Sequence, residues 1–185
     1  MTDAVQLPSE WLRELYAELH GSDRACAVIA ATTLDESLAT LLQTHLLPAQ
    51  RPKEDRLLGR GGIVDSFSSR IELTCRLGLI SDVLRNALED LRDIRNQAAH
   101  KAEFSFAKQS VAVRVERMHS SMQPCKHLPT GLITELGTSS KAMFVSTALL
   151  IALALEYAIQ ETQRTAAKPK DFLSLNMRWR KKDDV

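Results

Sequence analysis

The chain has 185 residues, of which 44% are hydrophobic and 25% charged, a composition that fits one globular domain and excludes global disorder. Lysine and arginine (24) nearly balance aspartate and glutamate (23), so a net charge of +1 excludes a basic nucleic-acid-binding coat over the whole surface. The balance is uneven, because residues 164–185 hold seven basic residues against three acidic ones and leave residues 1–163 slightly acidic.

The cysteines and the apolar segments indicate the compartment. Cys26, Cys75 and Cys125 are odd in number, widely spaced and without a CxxC pair, which favours free thiols in a reducing compartment. The first twenty residues contain acids throughout and lack a basic-then-apolar run, so no signal peptide is expected. The apolar run from Ala142 to Leu155 is shorter than the about 20 residues of a bilayer span and predicts a core helix. We therefore expect a cytoplasmic protein without membrane contact.

Glycines (7) and prolines (6) cluster between long periodic runs, and this pattern predicts an all-α fold. A first amphipathic helix is expected over residues 8–21. A long second helix is expected to begin at the N-cap pair Ser22 and Asp23 and to end before Pro48. Residues 48–62 are rich in glycine and proline and show no periodicity, so a long loop is expected there.

Three further helices are expected after this loop. The third ends at Gly78, where glycine can adopt the left-handed conformation of a helix cap, and has one apolar stripe: Ile63, Phe67, Ile71 and Cys75. The fourth begins at Ser81 and runs to about residue 100. Residues 104–119 fit either a strand or a helix, and we favour a helix. An irregular stretch over 120–138 precedes a last helix that begins at Ser139 or Ser140. The prediction is one compact bundle of residues 1–163 with a basic tail over 164–185.

The most informative residues lie near the end of the fourth helix. Asn96 and His100 are four residues apart and share a helix face, and Arg95 lies five residues before His100. A guanidinium and an imidazole near one phosphodiester can stabilise its charge and move a proton. The alternative is structural: His100 interacts with the helix C-terminus, and Arg95 pairs with an acid on a neighbouring helix.

Several blocks of sequence resemble known proteins. Arg95-Asn96-x-x-Ala99-His100 resembles the Arg-Asn-x-x-x-His element of the HEPN superfamily, whose all-helical members often dimerise and in many cases cleave RNA. Over about residues 10–160 the chain is similar to the narrower mannitol operon repressor family, through residues 22–35, 57–59, 66–71, 77–80 and 94–100. The resemblance implies a helical bundle assigned to bacterial transcription control. That family lacks an obvious DNA-reading module, and this sequence has no helix-turn-helix with a basic second helix, zinc-finger spacing or heptad array.

Two helix starts are rich in hydroxyl groups and charge, and they are candidate binding residues: Ser22, Asp23, Arg24, Ser66, Ser69 and Arg70. If both starts face Arg95 and His100 they form a polar pocket; otherwise they are helix caps and surface ion pairs. Asp35 and Glu36 lie inside an apolar helix and need a cationic partner, for which Arg70 and Arg95 are the candidates.

The remaining candidates are weaker. His119, Cys125 and His127 match no established zinc spacing, so no metal and no cofactor are expected. Trp179 and Arg180 belong to a tail that mixes aromatic and basic residues and can dock on a partner protein or touch nucleic-acid phosphates; a solvated tail is the alternative.

Two functions follow from these patterns. The first is a non-enzymatic transcriptional regulator that acts on another regulatory protein, forms a homodimer and does not read DNA sequence through residues 1–163. The second is a ribonuclease that uses Arg95, Asn96 and His100. Because the apolar stripe of the fourth helix places Arg95 close to its buried edge, we expect an ion pair with Asp35, Glu36 or Glu72. On that basis His100→Ala and Arg95→Ala are expected to lower stability by about 1–3 kcal/mol.

Overall fold

A computed structural model describes residues 10–49, 51, 55–101, 103–122 and 137–165, and the side chains among them as far as residue 163. These residues form six α-helices and no β-strand, which confirms the all-α prediction. The helices are α1 Glu10–Glu18, α2 Asp23–His45, α3 Phe67–Arg76, α4 Asp82–His100, α5 Gln109–Met122 and α6 Ser140–Thr165. The ambiguous segment, residues 104–119, is therefore helical from Gln109 onward, with Val111, Val115 and Met118 buried on one face of α5.

The two longest helices, α2 and α6, pack along each other at the centre of the bundle. α6 is covered within a single chain: Leu149, Leu150 and Ile151 are at most 1% exposed. By length and composition both helices qualify as membrane-spanning candidates, but a buried core helix passes the same test. Here both contribute their apolar side chains to the shared core, as predicted for the segment from Ala142 to Leu155.

The shorter helices complete the bundle around this pair. α3 and α4 pack on α2 and on each other, α5 fills the space between α4 and α6, and α1 lies against α6. α4 is amphipathic, since its inward stripe is buried as expected for a surface helix: Leu84, Leu88, Leu91, Ile94 and Ala98. The turn between α3 and α4 uses Gly78 at φ 71°, and the Leu79 amide donates to the Thr74 carbonyl at 3.0 Å, so the predicted glycine cap is confirmed.

Serine side chains set several helix starts. The Ala25 amide donates to Ser22 Oγ at 3.2 Å and the Leu84 amide to Ser81 Oγ at 3.3 Å, and Ser139 caps α6 by accepting from the Ala142 amide at 3.2 Å. α3 begins with a reciprocal cap between Ser66 and Ser69, four residues later than the sequence pattern suggested. Ile63 is consequently not on the buried stripe of α3.

Candidate functional site

The last two turns of α4 carry the Arg-Asn-x-x-x-His element. Arg95 and Asn96 are half-buried, and Arg95 Nη1 donates to Asn96 Oδ1 at 3.1 Å. His100 is the final residue of the helix and is exposed. The His100 imidazole is therefore open to solvent at the end of α4, and the Arg95 guanidinium is hydrogen-bonded to Asn96 on the same helix.

The predicted ion pair of Arg95 with Asp35, Glu36 or Glu72 is wrong. Asp35 Oδ1 lies 2.8 Å from Arg70 Nη1, and Glu72 lies 4.0 Å from Arg85, so two of these acids already have a cation. Among the described residues Arg95 lies within 4 Å of no carboxylate. The other predicted partner of Asp35, Arg70, is confirmed. α3 intervenes here, since it packs on both α2 and α4 and brings its own arginine to Asp35.

The start of α2 lies beside the end of α4. Arg24 Nη2 donates to the Lys101 carbonyl at 2.6 Å, one residue after His100. Asp23 Oδ2 accepts from the Ser105 hydroxyl at 3.0 Å and from the Phe106 amide at 3.1 Å, and Lys141 lies 3.5 Å from Asp23 Oδ1. A guanidinium at a helix C-terminus is favourably placed against the helix dipole. Of the two helix starts in the predicted polar pocket, the start of α2 is therefore near His100.

The start of α3 lies elsewhere. Arg92 on α4 donates to Ser68 Oγ at 2.6 Å, and Arg70 pairs with Asp35, eleven residues along α2 from Arg24. At about 1.5 Å of rise per residue, the two starts are roughly 17 Å apart along α2. Ser66 and Ser69 are engaged in capping each other. The six candidate residues therefore do not form one pocket.

Sequence reasoning missed an ion-pair cluster between α4 and α5. Asp90 is 6% exposed and accepts a bidentate pair of bonds from Arg117 Nε and Nη2, while Arg114 Nη1 lies 2.9 Å from Asp93 Oδ2 and 3.6 Å from Asp90 Oδ1. The bonds to Asp90 raise the pKa of Arg117. The sequence does contain a pattern that could have indicated this cluster. Two aspartates lie three residues apart on α4, and two arginines lie three residues apart on α5. This cluster lines an open groove of about 460 Å³.

Two titratable side chains, the buried Cys26 and the half-buried His119, have shifted pKa values. Burial raises the pKa of the Cys26 thiol to about 12, so the thiolate form is scarce near neutral pH. Burial also lowers the pKa of His119, whose Nδ1 lies 3.0 Å from Thr147 Oγ1. Cys125 and His127 lie outside the described residues, and within those residues no group of three potential metal ligands occurs. Trp179 and Arg180 also lie outside the described part of the chain.

Comparison with known proteins finds a similar fold but no matching sequence family. No protein-family model matches the sequence, and no curated protein matches it significantly. A chain in the X-ray structure of the MtlR–HPr complex from Escherichia coli superposes with a TM-score of 0.56 at 17% sequence identity, covering 84% of this chain and 99% of that chain. The two chains share a fold. The likeness is consistent with the MtlR-like bundle that the sequence resemblance implied, and at this identity it shows the fold alone.

Proposed function

We propose that the protein is a regulator of the mannitol operon repressor type that acts by binding another regulatory protein. The observation that carries the proposal is the shared fold, which extends over nearly the whole of a chain from the MtlR–HPr complex. Blocks of sequence similarity to the same kind of regulator add an independent reason. The working compartment in this proposal is the cytoplasm, in keeping with the free thiols of Cys26 and Cys75.

The surface chemistry of α4 and α5 supports a protein partner over direct DNA reading. Arginines on this side are paired with acids of the same chain: Arg92 with Glu89 at 2.7 Å, Arg114 with Asp93, and Arg117 with Asp90. Cations already neutralised by carboxylates gain little from phosphate contacts, because the existing pairs must first be broken. Any DNA affinity of the full chain is then expected to come from residues 164–185 and to fall steeply with salt.

A titration tests the partner. The purified 185-residue chain is titrated with Escherichia coli HPr by isothermal titration calorimetry, with an unrelated protein of similar size as the control. A saturable interaction with a Kd at or below about 10 µM supports the proposal. Heat no different from the control contradicts the proposal. So does a preference for a candidate operator duplex over random DNA that is retained after removal of residues 164–185.

A homodimer is also part of the proposal. An apolar helix such as α6 can be covered either by a second copy of the protein or by its own chain. That helix is covered inside one chain, so it no longer requires a second copy. Dimerisation is now supported only by the resemblance to the HEPN superfamily. Sedimentation equilibrium of the full chain decides between a monomer and a dimer.

Ribonuclease activity is the second candidate, and the exposure of His100 favours it. The imidazole is free to approach a phosphodiester, and Arg95 is not committed to an acid among the described residues. Single-stranded RNA is incubated with wild type, His100→Ala and, as a matched control, His45→Ala at the end of α2. Ribonuclease activity is supported if wild type and His45→Ala cleave the RNA and His100→Ala does not. It is excluded if the RNA stays intact with all three proteins.

A further inference from the structure

The connection between α2 and α3 has a fixed shape over residues 55–65, here called the 55–65 loop. Asp55 Oδ1 accepts from the amides of Leu57 at 2.8 Å and Leu58 at 3.1 Å. Two backbone bonds then close the loop, from the Ile63 amide to the Arg56 carbonyl at 3.0 Å and from the Val64 amide to the Leu57 carbonyl at 2.8 Å. These bonds hold the loop in one conformation.

Glycines make this shape possible. Gly61 has φ +75°, in the left-handed region that side chains rarely adopt. A Cβ at Gly59 would lie 2.3 Å from the Asp55 carbonyl oxygen, and one at Gly62 would lie 2.8 Å from the carbonyl oxygens of Leu57 and Gly59. The backbone can therefore close in this form only with glycine at these positions.

The loop is also fastened to the bundle. Val64 is buried, and Arg70 Nε donates to its carbonyl at 3.2 Å while Nη1 of the same side chain pairs with Asp35 on α2. Asp65 accepts from the Gly61 amide at 2.8 Å and lies 3.7 Å from Arg70 Nη2. Both acids of the loop, Asp55 and Asp65, are thus directed to the loop and its anchor.

The outer side of the loop presents an aliphatic side chain beside two cations. Ile63 is 80% exposed, more than any other large hydrophobic residue of the described chain. Arg56 and Arg60 are exposed, form no ion pair with another described residue, and share with Ile63 an open concavity of about 660 Å³. Arginine is enriched at protein–protein interfaces, and burying an exposed apolar side chain on binding adds to affinity.

We propose that the 55–65 loop is the docking element for the protein partner, an inference that rests on the proposed function. The partner carries an apolar pocket that receives Ile63, and carboxylates at its rim that pair with Arg56 and Arg60. Charge complementarity gives this choice, because the loop's own acids are already engaged and its two exposed arginines are not.

Two other ligands, a phosphate group and a membrane surface, fit the loop less well. A phosphate-binding loop offers free backbone amides, but here the amides of residues 57–59 and 61–64 all donate within the loop or to Asp65. A membrane surface would gain about 1 kcal/mol from each arginine, and one isoleucine adds too little apolar area for stable attachment.

Calorimetric titration with Escherichia coli HPr tests the loop in the full chain. The variants are I63D and R56E/R60E, and the matched controls are V113D and R13E/R76E, which alter an exposed valine and two exposed arginines elsewhere. Circular dichroism verifies that each variant is folded. Wild type and controls are expected to bind alike, while I63D and R56E/R60E weaken binding by at least about tenfold. Equal binding by all five proteins overturns the inference and leaves the proposed function standing.

A second arm applies if wild type does not bind HPr, a result that contradicts the proposed function and leaves the loop to be tested separately. A photo-crosslinking residue replaces Ile63 in the native cell. The inference is supported if the captured protein, once purified, binds wild type, loses binding to R56E/R60E, and loses it again when its own carboxylates at the crosslink are neutralised. It is overturned by crosslinks to nucleic acid or lipid, by a captured protein that fails these binding tests, or by no crosslink at all.

Discussion

The starts of α2 and α3 carry the same kinds of residue and use them differently. Each has a serine cap followed by an arginine, but Arg24 is exposed and reaches the end of α4, whereas the Arg70 side chain is 14% exposed and pairs with Asp35 inside the bundle. The difference comes from position in the fold: α3 lies between α2 and α4, and the start of α2 lies at the edge. Local sequence indicates where a helix begins, and the packing around it decides what its arginine does.

The largest effect is expected from removing Arg70. Arg70→Ala leaves the Asp35 carboxylate without its cation and detaches the 55–65 loop from α2. The free energy of unfolding is therefore expected to fall by about 2–3 kcal/mol. Urea denaturation followed by circular dichroism measures the change, with Arg13→Ala on the exposed side of α1 as the control. If Arg70→Ala lowers the free energy of unfolding no more than the control does, Arg70 does not stabilise the bundle more than an exposed arginine.

Asp23 anchors the start of α2 more firmly than Arg24. Asp23→Ala leaves the Phe106 amide and the Ser105 hydroxyl without their acceptor and removes the partner of Lys141, which together are expected to cost about 1–2 kcal/mol. The same denaturation series detects it. Asp23→Asn keeps one acceptor oxygen and is expected to recover part of the loss; no recovery would mean that the charge, through Lys141, matters more than the hydrogen bonds.

Much of the fold was accessible from sequence, and much of the candidate site was not. Glycine and serine positions identified the cap at Gly78 and the start at Ser22, because caps depend on local backbone chemistry. Periodicity placed Ile63 on a buried stripe, although the cap at Ser66 begins α3 after it and leaves it outside. Which arginine reaches Asp35, and which arginines reach Asp90, depends on which helices become neighbours, and a single sequence does not specify that.

The stability comparison has to be made at a stated pH because of His119. The Thr147 hydroxyl donates to the Met143 carbonyl, so His119 Nδ1 donates to Thr147, and burial lowers the pKa of this histidine below its usual 6.5. Below about pH 6.5 the unfolded chain binds a proton that the folded chain resists, so stability falls with falling pH until the lowered pKa is passed.

His119→Gln is therefore expected to flatten the decline in unfolding free energy as the pH falls below about 6.5. Denaturation at several pH values measures it, and His45→Gln is the control for a histidine at a helix end. A decline of the same slope in His119→Gln and wild type would assign the pH dependence to other groups.

The smallest effect is expected at the end of α4. His100 is exposed and Arg24 makes a surface contact with the neighbouring carbonyl, so His100→Ala and Arg24→Ala are each expected to change stability by less than about 0.5 kcal/mol. For His100→Ala this expectation replaces the loss of about 1–3 kcal/mol predicted from the sequence, which assumed that the side chain is buried. Urea denaturation above pH 7 is the measurement. A loss beyond 1 kcal/mol in His100→Ala would show that the imidazole packs against the chain. An unchanged stability makes His100→Ala a clean probe of the nuclease candidate, because any loss of RNA cleavage then reports chemistry at the imidazole and not unfolding of the bundle.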